Sequence, residues 1–251
     1  MQSNVLIFLL ITQLTQNILW AQVRITPLNL RKDNWLSYSF PLVQSSNKQA
    51  ASKINSYLQF NILDNENVLT DTNTIFEKSR YINTNDSNSQ AGYSAISYMV
   101  SLNSTTILSL KFEMESTGAY SENYPMYYSF DSHTGDLLMA RDLFTENGIA
   151  EIKKLLIKDR KASIAKWIKE MEHEYNINDD SVWINETFSE CNAKTDENNF
   201  LIKTGSIIFC KAYCFPHVSR PYDTDLDIKM SYKAITHYLS EKGKKLLFQN
   251  K

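Results

Sequence analysis

From residue 107 to residue 130 the apolar side chains fall on every second position. Leu108, Leu110, Phe112 and Met114 alternate with Ser109, Lys111, Glu113 and Glu115, and a period of two belongs to a strand with one face buried and the other in water. After a polar connection the pattern resumes in a second strand over residues 124–130, with Met126, Tyr128 and Phe130 on one face. The run Asp131-Ser132-His133-Thr134-Gly135 then reads as a turn. Asp suits its first position, and glycine takes the left-handed conformation that a bulged turn requires. Leu137, Leu138, Leu143 and Phe144 resume the core behind it.

The rest of the chain arranges itself around this hairpin. Residues 92–103 alternate as well, with Ile96, Tyr98, Val100 and Leu102 against Ser94, Ser97 and Ser101, so they should pair antiparallel with the 107 strand. Upstream, residues 23–30 and 36–43 read as strands. A helix should follow, with Ala50, Ile54, Tyr57, Leu58 and Ile62 on one face. A strand is expected over residues 76–82 and a polar linker over 83–90. Downstream, the spacing of Ile152, Leu156, Ile164 and Ile168 predicts a long helix over about residues 147–174. Residues 200–203 and 206–215 read as a hairpin with Thr204-Gly205 at its tip, 226–230 as a last strand, and 232–242 as a closing helix ended by Gly243.

Runs of strands with separate helices predict an α+β fold, with an antiparallel sheet, a long packing helix and a C-terminal helix. The expected division is a leader over 1–21, a smaller strand-helix-strand subdomain over 22–90, and an α+β domain over 91–251.

The leader carries the expected address. Residues 5–11 form a short apolar run, and Leu19-Trp20-Ala21 ends in a small residue suited to cleavage before Gln22. A spanning helix needs about 20 apolar residues, and Gln13, Gln16 and Asn17 interrupt this stretch. It therefore reads as a secretory signal peptide, although the opening MQSN holds no Lys or Arg. The expected location is periplasmic or secreted, with no stable membrane insertion. A net charge of −2 and the lack of a basic run give no footing for a nucleic-acid partner.

Three cysteines bear on chemistry. On one strand Cys210 and Cys214 would lie about 13 Å apart, beyond the roughly 7 Å that a disulfide spans. Cys191 with Cys214 is the expected pair, since an exported compartment permits oxidation; three unpaired buried thiols are the alternative. The same separation argues against zinc on Cys191, Cys210, Cys214 and His217, because ligand bonds of about 2.3 Å require the sulfurs close together. No metal site and no cofactor are expected.

Glu113, Glu115, Glu122 and Asp131 crowd the central hairpin, and two carboxylates flanking a cleft hydrolyse glycosidic bonds. Carboxylates on the wet face of a strand more often serve solvation. The sequence holds no Gly-rich phosphate loop, Gly-x-Ser-x-Gly elbow or His-Glu-x-x-His. The most suggestive surface is residues 119–128, where tyrosine and methionine mix with small polar residues in the manner of recognition surfaces. Tyr120, Glu122, Tyr124 and Tyr127 are its candidate ligand-binding residues. Tyr120 and Tyr127 are the ones expected to be exposed, and Tyr124 and Tyr128 to alternate into the core.

The stretch LKFEMESTGAYSENYPMYYSFDSHTGDLLMARDLF resembles the core motif of a domain of unknown function in bacterial envelope proteins. That domain is shared by the lysozyme-sensing anti-sigma factor RsiV and the non-catalytic part of the deacetylase PdaC. The matching features are the loop at Gly118-Ala119, the Tyr-rich second strand, Phe130-Asp131 with Thr134-Gly135, and Asp142-Leu143-Phe144. The resemblance implies an exported, non-enzymatic binding module that recognises peptidoglycan or a lysozyme-like protein. The deacetylase's metal-binding His motifs are absent, so its catalysis does not carry over, and sigma-factor inhibition is not expected either. A glycan-acting enzyme using paired carboxylates and a structural envelope protein are the competing expectations.

Overall fold

The computed structural model describes residues 23–32, 36–82, 92–117, 122–175, 183, 186–187, 189–190, 196–211 and 226–249. The chain divides into two compact units, the first ending at Leu137 and the second running from Leu138 to Gln249. The architecture is α+β, with sheets built almost wholly of antiparallel pairs.

In the first unit β1 (Arg24–Lys32) and β2 (Leu36–Gln44) form an antiparallel ribbon. The helices α1 (Lys48–Leu63) and α2 (Thr72–Glu77) follow. Then β3 (Gly92–Asn103), β4 (Ile107–Thr117) and β5 (Glu122–Asp131) run as an antiparallel meander. All five strands share one sheet in the order β1-β2-β3-β4-β5. The join between ribbon and meander is parallel and brief: Ser37 with Ala95 and Tyr38 with Ile96. A parallel pair needs a crossover of a dozen residues or more, and the segment carrying α1 and α2 supplies it.

This sheet corrects the expected boundary at residues 90–91. The ribbon and α1 do not form a subdomain of their own, because β2 pairs with β3 and α1 packs its Ile54, Leu58 and Ile62 into the same core as Phe112 and Phe130. The polar stretch over 83–90 lies outside the described residues. A second correction concerns residues 76–82, where a helical turn replaces most of the expected strand. The Asp71 carboxylate accepts from the Thr74 N–H at 2.8 Å and caps α2, which lowers its own pKa. Ile75 and Phe76 are both buried as consecutive residues, which a half-buried strand cannot do.

The alternation of β4 is realised as expected. Leu108, Leu110, Phe112 and Met114 are buried, Glu113 is exposed and Lys111 and Glu115 are partly so. Opposite them Tyr128 and Phe130 close the layer, and Tyr57 of α1 meets both rings edge-on at 5.5 and 5.7 Å. The turn after β5 holds Gly135 at φ +74° with its N–H on the Asp131 carbonyl at 2.8 Å. A Cβ on Gly135 would collide with the carbonyl oxygen of Ala50 and stand 2.8 Å from its Cα. Glycine is therefore required there twice, by conformation and by the close approach of α1.

The second unit opens with a short helix α3 (Ala140–Leu143) and the long α4 (Glu146–Tyr175). A three-stranded antiparallel sheet follows: β6 (Phe200–Lys203), β7 (Ser206–Phe209) and β8 (Ile228–Ser231). Gly205, at φ +73°, makes the tight β6–β7 turn. The end of the chain departs from expectation. Instead of one helix stopping at Gly243, α5 (Tyr232–Ile235) passes into a 3₁₀ turn (Thr236–Tyr238), and a separate helix α6 (Glu241–Phe248) begins. Ser240 caps α6, accepting from the Gly243 N–H at 3.0 Å. Gly243 thus sits at the start of a helix, where a Cβ would strike the backbone of Leu143.

Candidate functional site

The register of the meander decides which hairpin residues share a face. Reading across β3, β4 and β5, Met99 stands opposite Lys111 and Lys111 opposite Tyr127. The neighbouring row is Ser97, Glu113 and Pro125. These positions lie on the face turned away from Phe112 and Tyr128, because neighbours along a strand point to opposite sides. Met99 is 47 % exposed and Tyr127 is half-buried. A register shift between Val100 and Leu102 interrupts the alternation, and Val100 is left exposed beside Met99. Farther along, Ser109 and Ser129 are buried and joined through their hydroxyls at 2.8 Å.

The four sequence-derived candidates do not assemble as a set. Tyr127 stands in the outer row beside Lys111, whereas Tyr124 is in register with Met114, whose side chain is buried. Glu122 is half-buried at the start of β5, opposite Ser116. Tyr120 lies outside the described residues, as do Cys191 and Cys214 of the expected disulfide. Cys210 is buried, with its thiol 3.6 Å from the Ile208 carbonyl. Tyr128 is inward as expected, and burial raises its pKa. Its hydroxyl finds no hydrogen-bond partner among the described residues.

The acidic residues of the hairpin are spread over an open face. Glu113 is 62 % exposed and bonded to Lys111 at 2.7 Å. Asp131 is opposite Ile107, six strand positions from Glu113 and so about 20 Å away. Its carboxylate serves the turn instead, accepting from the N–H groups of His133 at 2.8 Å and Thr134 at 3.2 Å. Glu113 and Asp131 therefore do not flank a common cleft, and the spacing that glycoside hydrolysis requires, about 5–9.5 Å, is not met between them.

One group in the second unit escaped the sequence reading. Arg160 is fully buried in the middle of α4. Its Nε donates to the Leu226 carbonyl at 3.2 Å and its Nη2 to the Cys210 carbonyl at 3.5 Å. Nη1 has no partner among the described residues. Burial lowers its pKa, with Asp227 acting in the opposite direction. The signal was present: position 160 falls four residues after Leu156 and four before Ile164, on the buried stripe itself.

No protein-family model matches the chain, and comparison with curated protein sequences finds no match. Two solved structures share its fold. A member of the DUF3298 family from Bacteroides fragilis superposes with a TM-score of 0.60 at 13 % identity, over 89 % of this chain and 96 % of that one. A DUF3298 family protein from Pseudomonas aeruginosa gives 0.53 at 8 % identity, over 88 % and 94 %. Identities this low show a common fold and nothing finer.

Proposed function

We propose that the chain is an exported, non-enzymatic binding module of the bacterial cell envelope, recognising cell-wall glycan or a wall-active protein such as lysozyme. The observation that carries this reading is the outer row Met99–Lys111–Tyr127, in which an exposed methionine, a lysine and a tyrosine stand side by side on a three-stranded platform. Aromatic and methionine side chains mixed with polar neighbours suit recognition. Tyr120, Glu122 and Tyr124 are the further candidates on the same hairpin. The apolar leader ending at Ala21, the fold shared with two bacterial DUF3298 proteins, and the hairpin's resemblance to the domain of RsiV and PdaC all support it. In such a compartment Cys191 and Cys214 would be oxidised to a disulfide. Among the described residues no helix is long and apolar enough to cross a membrane.

Co-sedimentation with purified peptidoglycan and capture on immobilised lysozyme test the proposal together. Retention by one of them, weakened at least tenfold in Tyr127→Ala and Met99→Ala, is the expected result. Retention by neither overturns it.

A further inference from the structure

A second concavity lies in the first unit, away from the hairpin. It has a volume of about 280 Å³ and is walled by Asp64, Asn65, Glu66, Leu69, Lys78 and Arg80. Its frame is fixed by buried polar side chains. The Gln59 amide accepts from the Leu69 N–H at 2.8 Å and donates to the Leu69 carbonyl at 2.7 Å. Asn65 Nδ2 donates to the Ile75 carbonyl at 2.9 Å, and Ser79 Oγ to the Leu63 carbonyl at 2.7 Å. Both ends and the middle of the 64–79 segment are thereby tied to α1 and α2. A wall held in this way needs no ordering when a ligand arrives.

The chemistry of the wall narrows the ligand. Arg80 reaches Asp64 at 3.2 Å and Glu66 at 3.3 Å, so the two carboxylates are held apart by one guanidinium. Lys78 is exposed and makes no ion pair among the described residues. Two cations against two anions disfavour both a metal ion and a simple anion. Asn65 adds the directional demand. Its side chain is 4 % exposed, its Nδ2 is committed to Ile75, and its Oδ1 has no hydrogen-bond partner among the described residues. Because Nδ2 is engaged, the amide cannot turn to relieve that oxygen, and the wall retains an acceptor in need of a donor.

A ligand suited to this wall gives a proton to Asn65, accepts from Lys78 and Arg80, and carries no net charge. Hydroxyl groups do both, since each is one donor and two acceptors, and a sugar ring presents several on a rigid frame. The volume is at the lower end of small-ligand pockets, roughly 300–1,000 Å³, which suits one ring. We infer that this cavity is a sugar subsite holding a single hydroxyl- and amide-bearing hexose unit, with Asn65 Oδ1 as acceptor and Lys78 and Arg80 as donors. The choice of wall glycan as its source rests on the function proposed above; the donor and acceptor pattern does not.

Titration of the ¹⁵N-labelled protein with the disaccharide of N-acetylglucosamine and N-acetylmuramic acid tests the subsite. Saturable amide shifts at Asn65, Glu66, Leu69, Lys78 and Arg80 are expected. Lys78→Ala and Arg80→Ala, at exposed positions, should weaken binding at least tenfold while leaving the melting temperature unchanged. Shifts confined to Ser97, Met99, Lys111 and Tyr127 would overturn the subsite and keep the glycan reading. Capture by lysozyme with no sugar-induced shift anywhere would overturn the subsite and keep the protein-binding reading. Shifts at the cavity that survive both substitutions would also overturn it. Sugar binding at the cavity without retention on peptidoglycan or lysozyme would uphold the subsite and remove the envelope reading.

Discussion

Asn55 of α1 hydrogen-bonds both main-chain groups of Val43: its Oδ1 accepts from the Val43 N–H at 2.9 Å and its Nδ2 donates to the Val43 carbonyl at 2.8 Å. The described parallel pairing of β2 with β3 is confined to Ser37 and Tyr38, and at Val43 a side-chain amide stands where a neighbouring strand would. Asn55 and Val43 are both buried, so water cannot replace the amide. Gln59, one helical turn later, treats Leu69 in the same way.

Asn55→Leu should therefore cost on the order of 2–6 kcal/mol, since it strands two buried main-chain groups at about 1–3 kcal/mol each. Urea denaturation of the variant gives the figure directly. A loss under 1 kcal/mol would show that Val43 finds other partners and that the amide is dispensable.

The glycines rank by what surrounds them. Gly205 has a positive φ but nothing within 4 Å of an added Cβ, so Gly205→Ala should cost only the left-handed penalty of about 1–2 kcal/mol. Gly135→Ala adds a collision with the backbone of Ala50 to the same penalty, and Gly243→Ala a collision with the backbone of Leu143. Both should lower the melting temperature more than Gly205→Ala does. If Gly243→Ala proves the mildest of the three, the start of α6 is not packed against Leu143.

Arg160 separates packing from charge. Arg160→Ala removes a fully buried side chain and should cost about 2–5 kcal/mol through the cavity left behind. Arg160→Met keeps most of the stem and spares the chain the burial of a cation. It should cost less than half as much, by comparison of the two urea midpoints. Equal losses would assign the role to the guanidinium and its bonds to Leu226 and Cys210.

Asp142 supplies a pH dependence. Burial works to raise its pKa, but the bonds from Lys242 at 2.8 Å and from the Met139 N–H at 2.9 Å prevail, and the net shift is downward. A carboxyl whose folded pKa is depressed stabilises the fold above its unfolded value of about 3.9 and loses that contribution as pH falls through the folded one. Between pH 5 and about pH 2 the wild type should lose more stability than Asp142→Asn does. Parallel pH profiles would show that the Lys242 pair is without consequence.

Where physics is local, the sequence was legible. The alternation of Leu108, Leu110, Phe112 and Met114 placed β4, and glycine at 135 and 205 marked turns that do carry positive φ. Non-local facts were not. Residues 76–82 looked like a strand because Phe76 and Ile82 are apolar, but the cap at Asp71 commits its beginning to a helical turn. Gly243 looked like a helix end, while what it accommodates is the backbone of Leu143, a hundred residues away. The boundary at 90–91 followed composition, and composition carries no record that β2 pairs with β3. Of the candidate site, the row containing Tyr127 was partly readable from its pleat. The cavity at Asn65 was not, because it depends on Gln59, Ile75 and Ser79 arriving together.

The two-residue seam between β2 and β3 also has a consequence in time. The meander β3-β4-β5 joins neighbours through short connections and can assemble locally. The β1–β2 ribbon reaches it only by closing the chain from Gln44 to Gly92, at an entropic cost that local pairing does not face. The ribbon should therefore attach late when the chain folds. It should also detach first under native conditions, its amides exchanging with solvent by partial opening while those of β4 wait for the whole unit to unfold.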